Sequence, residues 1–173
     1  MSAPGPRHLV LVGMMGVGKS TVGRAVAAEL GRPLFDSDEM IEAEAGRTVR
    51  EIWTTDGEPT FRALETQALV RSLAVGEPSV IAAAGGVVLS ERNRQALQSD
   101  DACVVWLRAE VDVLLDRVRS GAHRPLLDTD PEATLRRMYD ERAPLYQEVA
   151  DAVVSVDHRS VGEVTRAVLR CCA

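Results

Sequence analysis

A glycine-rich stretch near the amino terminus constrains the fold of this chain more than any other feature. Residues 13–21 have the sequence GMMGVGKST and match G-x-x-x-x-G-K-[ST], in which backbone N–H groups surround phosphate oxygens. A short apolar run, His8–Val12, precedes this stretch, and apolar residues at helical spacing follow it over residues 21–30. Because a strand, a turn and a helix are all predicted, we interpret residues 13–21 as a phosphate-binding P-loop rather than as an ordinary glycine turn.

The two residues that complete this motif carry its chemistry. Lys19 is the single lysine of the chain. Its ammonium group is a compact charge that can reach phosphate oxygens inside a glycine turn, whereas the wide guanidinium of arginine does not fit there. The Ser20 hydroxyl can bind magnesium. The motif therefore predicts a site for the phosphates of a nucleotide together with Mg²⁺.

Length and composition limit the remaining possibilities. The 173 residues favour one domain, and the apolar fraction of 46% is enough for a core, although aromatic residues make up only 3%. The net charge of −6 argues against a nucleic-acid-binding surface. No apolar run reaches the roughly 18 residues of a membrane span, and residues 1–7 do not look like a signal peptide. We therefore expect a cytoplasmic protein without membrane or nucleic-acid partners.

The three cysteines give no sign of a zinc site or of a disulfide framework. Cys103 lies within an apolar run and is expected in the core. Cys171 and Cys172 are adjacent and do not pair easily with each other. This pattern fits a reducing compartment.

Four further apolar runs, at residues 33–36, 79–83, 102–107 and 152–156, alternate with segments of helical spacing. Capping boxes at Thr48 and Ser160 mark the starts of two of the helices. Another helix is expected to begin at Asp130 and Pro131 and to break or kink at Pro144. The alternation predicts an α/β fold with a five-stranded, mostly parallel sheet and helices on both faces.

Two carboxylates, Asp36 and Asp38, follow the second predicted strand. Ligands of open α/β sheets bind at the carboxyl ends of the strands, so this pair is a candidate for contacts with two different ligands. The alternative is a solvated turn in which Ser37 or Asp38 caps the next helix.

Two more features are candidates for a binding site. Arg62 and Glu65 are three residues apart on one helix, so Glu65 can orient Arg62, although an exposed ion pair is the alternative. Gly85 and Gly86 follow the third strand and indicate close approach of the backbone to a ligand or a helix, or else a plain turn.

Residues 120–130 lack a core pattern and predict a lid or disorder.

Together these segments resemble the shikimate kinase family along nearly the whole chain, from His8 to about residue 170. The matching pieces are residues 13–21, DSD at 36–38, AGRT at 45–48, DGE at 56–58, FR at 61–62 with Glu65, GG at 85–86, RPLL at 124–127 and RAPLY at 142–146. The P-loop alone marks a very large superfamily, whereas the other pieces are more specific. The family usually has three glycines where this chain has Ala84, Gly85 and Gly86.

The resemblance implies a P-loop kinase fold like that of nucleoside monophosphate kinases, in one domain over 1–173. It implies a P-loop at 13–21, a substrate-binding helical region at about 38–66 and a lid at about 119–131. The reaction implied is phosphorylation of the 3-hydroxyl of shikimate by ATP, which gives shikimate 3-phosphate and ADP on the route to chorismate. We expect a monomer.

The resemblance also implies roles for individual residues. Catalysis would depend on Lys19, Asp38 and Arg124. ATP would be bound by Gly16, Val17, Gly18, Lys19, Ser20, Thr21, Arg124 and Arg159. Magnesium would be held by Ser20 and, through water, by Asp36, while shikimate would be bound by Asp38, Arg62, Gly85 and Arg142.

Two alternatives remain at this point. A small P-loop kinase of a sugar acid such as gluconate would share the P-loop and the lid but should lack Arg62 and the segment 142–146. A nucleotide-dependent regulatory module without turnover would keep Lys19 and Ser20 but has little reason to keep Asp38 and the arginines together.

Overall fold

The computed structural model describes residues 8–120 and 129–172. Five strands form one sheet in the order β2-β3-β1-β4-β5, and all of their pairings are parallel. The strands are β1 His8–Val12, β2 Leu34–Asp36, β3 Ser79–Ala82, β4 Ala102–Arg108 and β5 Ala152–Ser155. The predicted α/β fold with a five-stranded parallel sheet is confirmed.

Eight α-helices connect or follow these strands in the described residues. They are α1 Lys19–Leu30, α2 Ser37–Ala45, α3 Val49–Asp56, α4 Glu58–Leu73, α5 Glu91–Leu97, α6 Val111–Ser120, α7 Pro131–Val149 and α8 Val161–Cys171, with a short 3₁₀ turn at Val87–Leu89. The capping boxes predicted at Thr48 and Ser160 are both present. Helix α1 packs against α8, whereas α5 packs against α4 and α7, and these two groups of helices cover the two faces of the sheet.

The main core surrounds the central strand. Every residue of β1 is buried, as expected for a strand with a neighbour on each side and helices on both faces. A second, smaller core lies between α2, α3 and α4 and contains Ile41, Ile52, Phe61 and Ala68. Helix α4, which carries Arg62, is therefore packed against α2 and α3 through a separate apolar core.

Two local expectations need correction. Helix α7 does not break at Pro144 but continues to Val149, while the alternative, a kink at this residue, stays a prediction. Arg142 and Tyr146 on either side of the proline are buried, and their packing supports the continuous helix. Cys103 is in the core as expected, but it is joined by a disulfide to Cys172, with the two Cα atoms 6.2 Å apart. The partners are separated by 69 residues in sequence, and only the packing of α8 against the sheet brings them together.

Among residues 8–120 and 129–172, no helix has the length and apolar character needed to cross a membrane.

Candidate active site

The P-loop connects β1 to α1 at the carboxyl edge of the sheet. Gly13 and Gly18 have φ angles of +149° and +102°, and a Cβ atom at Gly13 would lie 2.5 Å from the carbonyl oxygen of Leu107, so the loop requires glycine there. The Lys19 Nζ atom donates hydrogen bonds to the carbonyl oxygens of Gly13 at 2.7 Å and Met14 at 3.0 Å. The ammonium group is thus held beside the start of α1, where the helix dipole favours an anion.

Asp36 joins the P-loop side of the site to α2. One carboxylate oxygen, Oδ1, accepts hydrogen bonds from the backbone N–H groups of Asp38 at 3.0 Å and Glu39 at 3.2 Å and so caps α2. The other, Oδ2, accepts a hydrogen bond from the Ser20 hydroxyl. The capping residue is therefore Asp36 rather than Ser37 or Asp38, and the same carboxylate touches the hydroxyl expected to bind magnesium.

Arg62 is held by two carboxylates of its own helix and by two aromatic rings. Its guanidinium donates to Glu65 at 2.7 Å and to Glu58 at 3.3 Å, and its Cζ atom lies 5.3 Å from the centre of the Trp53 ring. Glu65 is buried, and this burial raises the pKa of its carboxyl above the ordinary value, while the Arg62 guanidinium opposes the rise. The predicted orientation of Arg62 by Glu65 is confirmed, and the pair is not an exposed surface contact.

The glycine turn after β3 packs directly against this arginine. A Cβ atom on Gly86 would lie 2.5 Å from the Arg62 Cζ atom and closer still to its Nη1 atom. The close approach expected from the two glycines is therefore to a side chain of α4. Ala84 beside them has no positive φ angle, since His158 is the only described non-glycine residue that has one, so its methyl group is compatible with the turn.

Arg142 projects from α7 toward the same turn. It is only 4% exposed, and within the described residues its buried Nε atom has no hydrogen-bond partner. Its Nη1 atom lies 3.7 Å from the position that a Cβ atom on Gly85 would take. A buried guanidinium costs free energy unless it is paired, so this position favours an anionic ligand.

A cavity of about 270 Å³ brings these groups together. Of the predicted residues its lining includes Gly16, Gly18, Lys19, Ser20, Thr21, Asp36, Asp38, Arg62, Gly85 and Arg142. Phosphate-binding groups and two arginines thus share one cavity with the Asp38 carboxylate. A site of this kind can place a phosphoryl donor next to a small anionic acceptor.

Two of the predicted residues that the structure describes are not in the cavity lining. Val17 is buried in the P-loop at 2% exposure. Arg159 follows β5 and donates to the Ser155 carbonyl oxygen at 3.2 Å. Arg124, and most of the lid predicted at about 119–131, lie outside the described residues.

Sequence reasoning missed two contributors to the site. Trp53 lines the cavity beneath Arg62, but in the sequence it is one apolar residue of a short helix. Arg117 donates from the last turn of α6 to the carbonyl oxygens of Gly16 at 3.3 Å and Val17 at 3.0 Å. Its position beside the predicted lid was the only available signal, because nothing in the sequence indicates a contact across a hundred residues.

Comparison with known proteins identifies the family. The family model described as shikimate kinase matches residues 15–173. Shikimate kinase from Ruegeria pomeroyi is 44% identical over 94% of this chain and 83% of its own length. The enzyme of the same name from Symbiobacterium thermophilum is 44% identical over 94% of both chains.

A solved structure agrees with this result. Shikimate kinase from Acinetobacter baumannii in complex with shikimate is 36% identical, has a TM-score of 0.90, and matches 95% of this chain and 92% of that chain. Both the sequence and the fold are therefore similar over almost the full length. The chain belongs to the shikimate kinase family.

Proposed function

We propose that the protein transfers the terminal phosphoryl group of ATP to the 3-hydroxyl of shikimate, which forms shikimate 3-phosphate and ADP. The observation that carries the proposal is one cavity lined both by Lys19 and Ser20 of the P-loop and by the arginines Arg62 and Arg142. Family membership, and the similarity to a structure described as a complex with shikimate, support this acceptor.

Residues 16–21 would bind the phosphates of ATP. Backbone N–H groups of the loop and the start of α1 offer donors to the phosphate oxygens. Lys19 donates to two loop carbonyls, and its flexible chain would let the ammonium turn to the outer phosphates. In phosphoryl transfer the charge is spread over the equatorial oxygens, so positioning and neutralisation account for most of the catalysis.

The residues around Ser20 fit a magnesium ion. The Ser20 hydroxyl and the Asp36 carboxylate are in contact, and Mg²⁺ binds hard oxygen ligands while it keeps several waters. We infer that Ser20 would bind the ion directly and Asp36 through water. The ion would neutralise phosphate charge when ATP is bound.

Arg62, Arg142 and the Gly85 backbone would hold the carboxylate of the acceptor. A planar guanidinium can form two parallel hydrogen bonds with a carboxylate. Arg142 is buried and sits beside the glycine turn, while Arg62 is already oriented by Glu65. An acid bound by the two arginines would place an anion beside the buried Arg142, whose Nε atom has no hydrogen-bond partner within the described residues.

Asp38 would bind the diol of the acceptor and accept the proton of the attacking hydroxyl. It lines the cavity together with Lys19 and both arginines. The α2 cap at Asp36 fixes the backbone of Asp38, so the carboxylate is presented from the first turn of a helix. General-base catalysis of this kind contributes about a hundredfold or more to turnover.

Three further assignments stay predictions. Arg124, from outside the described residues, would add positive charge to the transferring phosphoryl group, and the lid at about 119–131 would exclude water from the reaction. Arg159 would lie against the adenine. We also propose that the chain acts in the cytoplasm as a monomer, with the single domain 1–173 and a substrate-binding region at about 38–66.

An assay of ADP release tests the function against its alternatives. Purified protein is given ATP and Mg²⁺ with shikimate, with gluconate, or with no acceptor. We expect rapid ADP release with shikimate only. Release with gluconate instead would favour a sugar-acid kinase, and no release with either acceptor would favour a regulatory module.

Two variants test the roles assigned to the acceptor side. Asp38→Asn should lower kcat by about a hundredfold or more, and near-normal turnover would remove its role as a base. Arg142→Ala should chiefly raise the KM for shikimate, because it removes a contact made equally before and during the reaction. An unchanged KM would contradict the proposed carboxylate clamp.

A further inference from the structure

Tyr146, the last residue of the RAPLY segment, is a buried residue behind the cavity to which the proposed mechanism assigns no role. It is 0% exposed and is not part of the cavity lining. It lies four residues after Arg142 on α7, so the two side chains occupy one face of the helix. Its ring packs beside Trp106 of β4 with the ring centres 5.7 Å apart.

The hydroxyl of Tyr146 joins α7 to the glycine turn. It donates a hydrogen bond to the carbonyl oxygen of Gly85 at 2.5 Å. Burial raises the pKa of the Tyr146 phenol to about 12, while the positive charge of the nearby Arg142 guanidinium opposes the rise. The hydroxyl therefore keeps its proton at neutral pH and donates it to the Gly85 carbonyl oxygen.

This contact fixes the orientation of a peptide at the wall of the cavity. The described chain has no cis peptide bonds, so the N–H of Gly86 points away from the Gly85 carbonyl and hence away from Tyr146. Gly86 in turn packs against the guanidinium of Arg62. One hydroxyl is thus bonded to the peptide that lies between the two arginines, with Arg142 beside Gly85 and Arg62 beside Gly86.

We propose that Tyr146 is a positioning residue for the acceptor's carboxylate, which it serves by holding Arg142 and the Gly85 peptide in the orientation that binds this group. Tyr146 does not touch the substrate, because it is fully buried outside the lining of the cavity. The inference rests on the proposed function, since it assumes that the two arginines bind the carboxylate of shikimate.

The test is Tyr146→Phe, which keeps the ring against Trp106 and removes only the hydroxyl. We expect the KM for shikimate to rise by up to about tenfold, the effect of losing one buried hydrogen bond. The KM for ATP should change by no more than about twofold, and kcat much less than the KM for shikimate, because the carboxylate is bound alike before and during the reaction. Tyr139→Phe, on the same helix and partly buried against the core, is the control and should change none of these values.

Loss of folded protein cannot imitate this result. A smaller active fraction lowers the apparent kcat but leaves KM unchanged, and calorimetric titration of the folded fraction with shikimate gives a second reading of affinity. The inference is overturned if Tyr146→Phe binds shikimate as the parent does, or if the KM values for both substrates rise equally.

A second variant separates positioning by Arg142 from other effects. In an Arg142→Ala background, Tyr146→Phe should raise the KM for shikimate less than it does alone, because the two residues act together. An equal rise in both backgrounds would overturn the inference. If the parent enzyme does not phosphorylate shikimate, the proposed function itself is overturned. If the parent phosphorylates shikimate and Tyr146→Phe has the same KM for shikimate, only the role of Tyr146 is overturned.

Discussion

Replacement of Gly86 by alanine is a sharp test of how the acceptor side of the cavity is built. Gly86 has φ −88° and ψ −1°, a conformation that alanine adopts without strain. The added methyl group would instead meet the guanidinium of Arg62, with its carbon 2.5 Å from Cζ. The substitution therefore acts on the arginine and not on the backbone.

The size of the effect follows from this distance. Atoms of this kind that are not bonded rest about 3.5 Å apart or more, so Cζ must move by at least about 1 Å and the closer Nη1 atom must move further. Arg62 is a long side chain with 21% of its surface exposed, so it can move without unfolding the protein. It would, however, leave the position set by its 2.7 Å hydrogen bond to Glu65. Misplacement by about 1 Å can cost up to about a hundredfold in kcat/KM.

The assay is ADP release with shikimate varied at saturating ATP. We expect Gly86→Ala to lower kcat/KM for shikimate by about ten- to a hundredfold, mainly through KM, while the KM for ATP stays near that of the parent. The matched control is Gly76→Ala, since a methyl group at Gly76 meets no atom within 4 Å and Gly76 has no positive φ angle.

Two results would refute this reasoning. The first is a normal KM for shikimate in Gly86→Ala. The second comes from an Arg62→Ala background, in which the guanidinium is gone and the added methyl should cost little. If Gly86→Ala lowers kcat/KM by the same factor with and without Arg62, the methyl group acts somewhere else.

Two further predictions concern stability. Because burial raises the pKa of Glu65 above its ordinary value of 4.5, the folded protein holds this proton when the unfolded chain has lost it, so the free energy of unfolding should fall as the pH rises from about 4.5 through the raised value. Urea unfolding of Glu65→Gln across this window should lack that decline, whereas the exposed neighbour variant Glu58→Gln should keep it; equal slopes in all three proteins would contradict the assignment. Closure of a loop by the Cys103–Cys172 disulfide should add about 4 kcal/mol of stability, or about 10 °C in Tm, without a reducing agent. Cys172→Ser should lose this increment, whereas Cys171→Ser, which replaces a free and exposed cysteine, should keep the Tm of the parent. A parent Tm that is the same with and without dithiothreitol would argue against the disulfide.

The features that sequence reasoning predicted correctly are those set by neighbours in the chain. The P-loop, the five strands and both capping boxes depend on residue types a few positions apart, and each is where the pattern placed it. The parallel order then follows from the alternation of strands and helices. For the same reason the order of residues along the chain was enough to assign Asp36 and Asp38 to the carboxyl edge of the sheet.

The features that were missed depend on contacts between distant segments. Arg117 reaches Gly16 across 101 residues, and the pairing of Cys103 with Cys172 depends on where α8 ends against β4. Pro144 disrupts isolated helices, but burial of the side chains around it outweighs this preference. The partner of Gly86 could be predicted only as a close approach, since nothing local identifies it as Arg62.

The arrangement of charges explains why this cavity should prefer an acid as the acceptor. Arg62 already has two carboxylate partners on its own helix, so it is held in place but partly neutralised. Arg142 is buried near the Tyr146 phenol, and within the described residues its Nε atom has no hydrogen-bond partner. A neutral acceptor would leave this cation buried and incompletely paired, at a cost that an acceptor with a carboxylate removes. The preference for an acid over a neutral acceptor thus has two sources. One is the set of hydrogen bonds made to the carboxylate, and the other is the free-energy cost of leaving Arg142 incompletely paired when the cavity is empty or holds a neutral molecule.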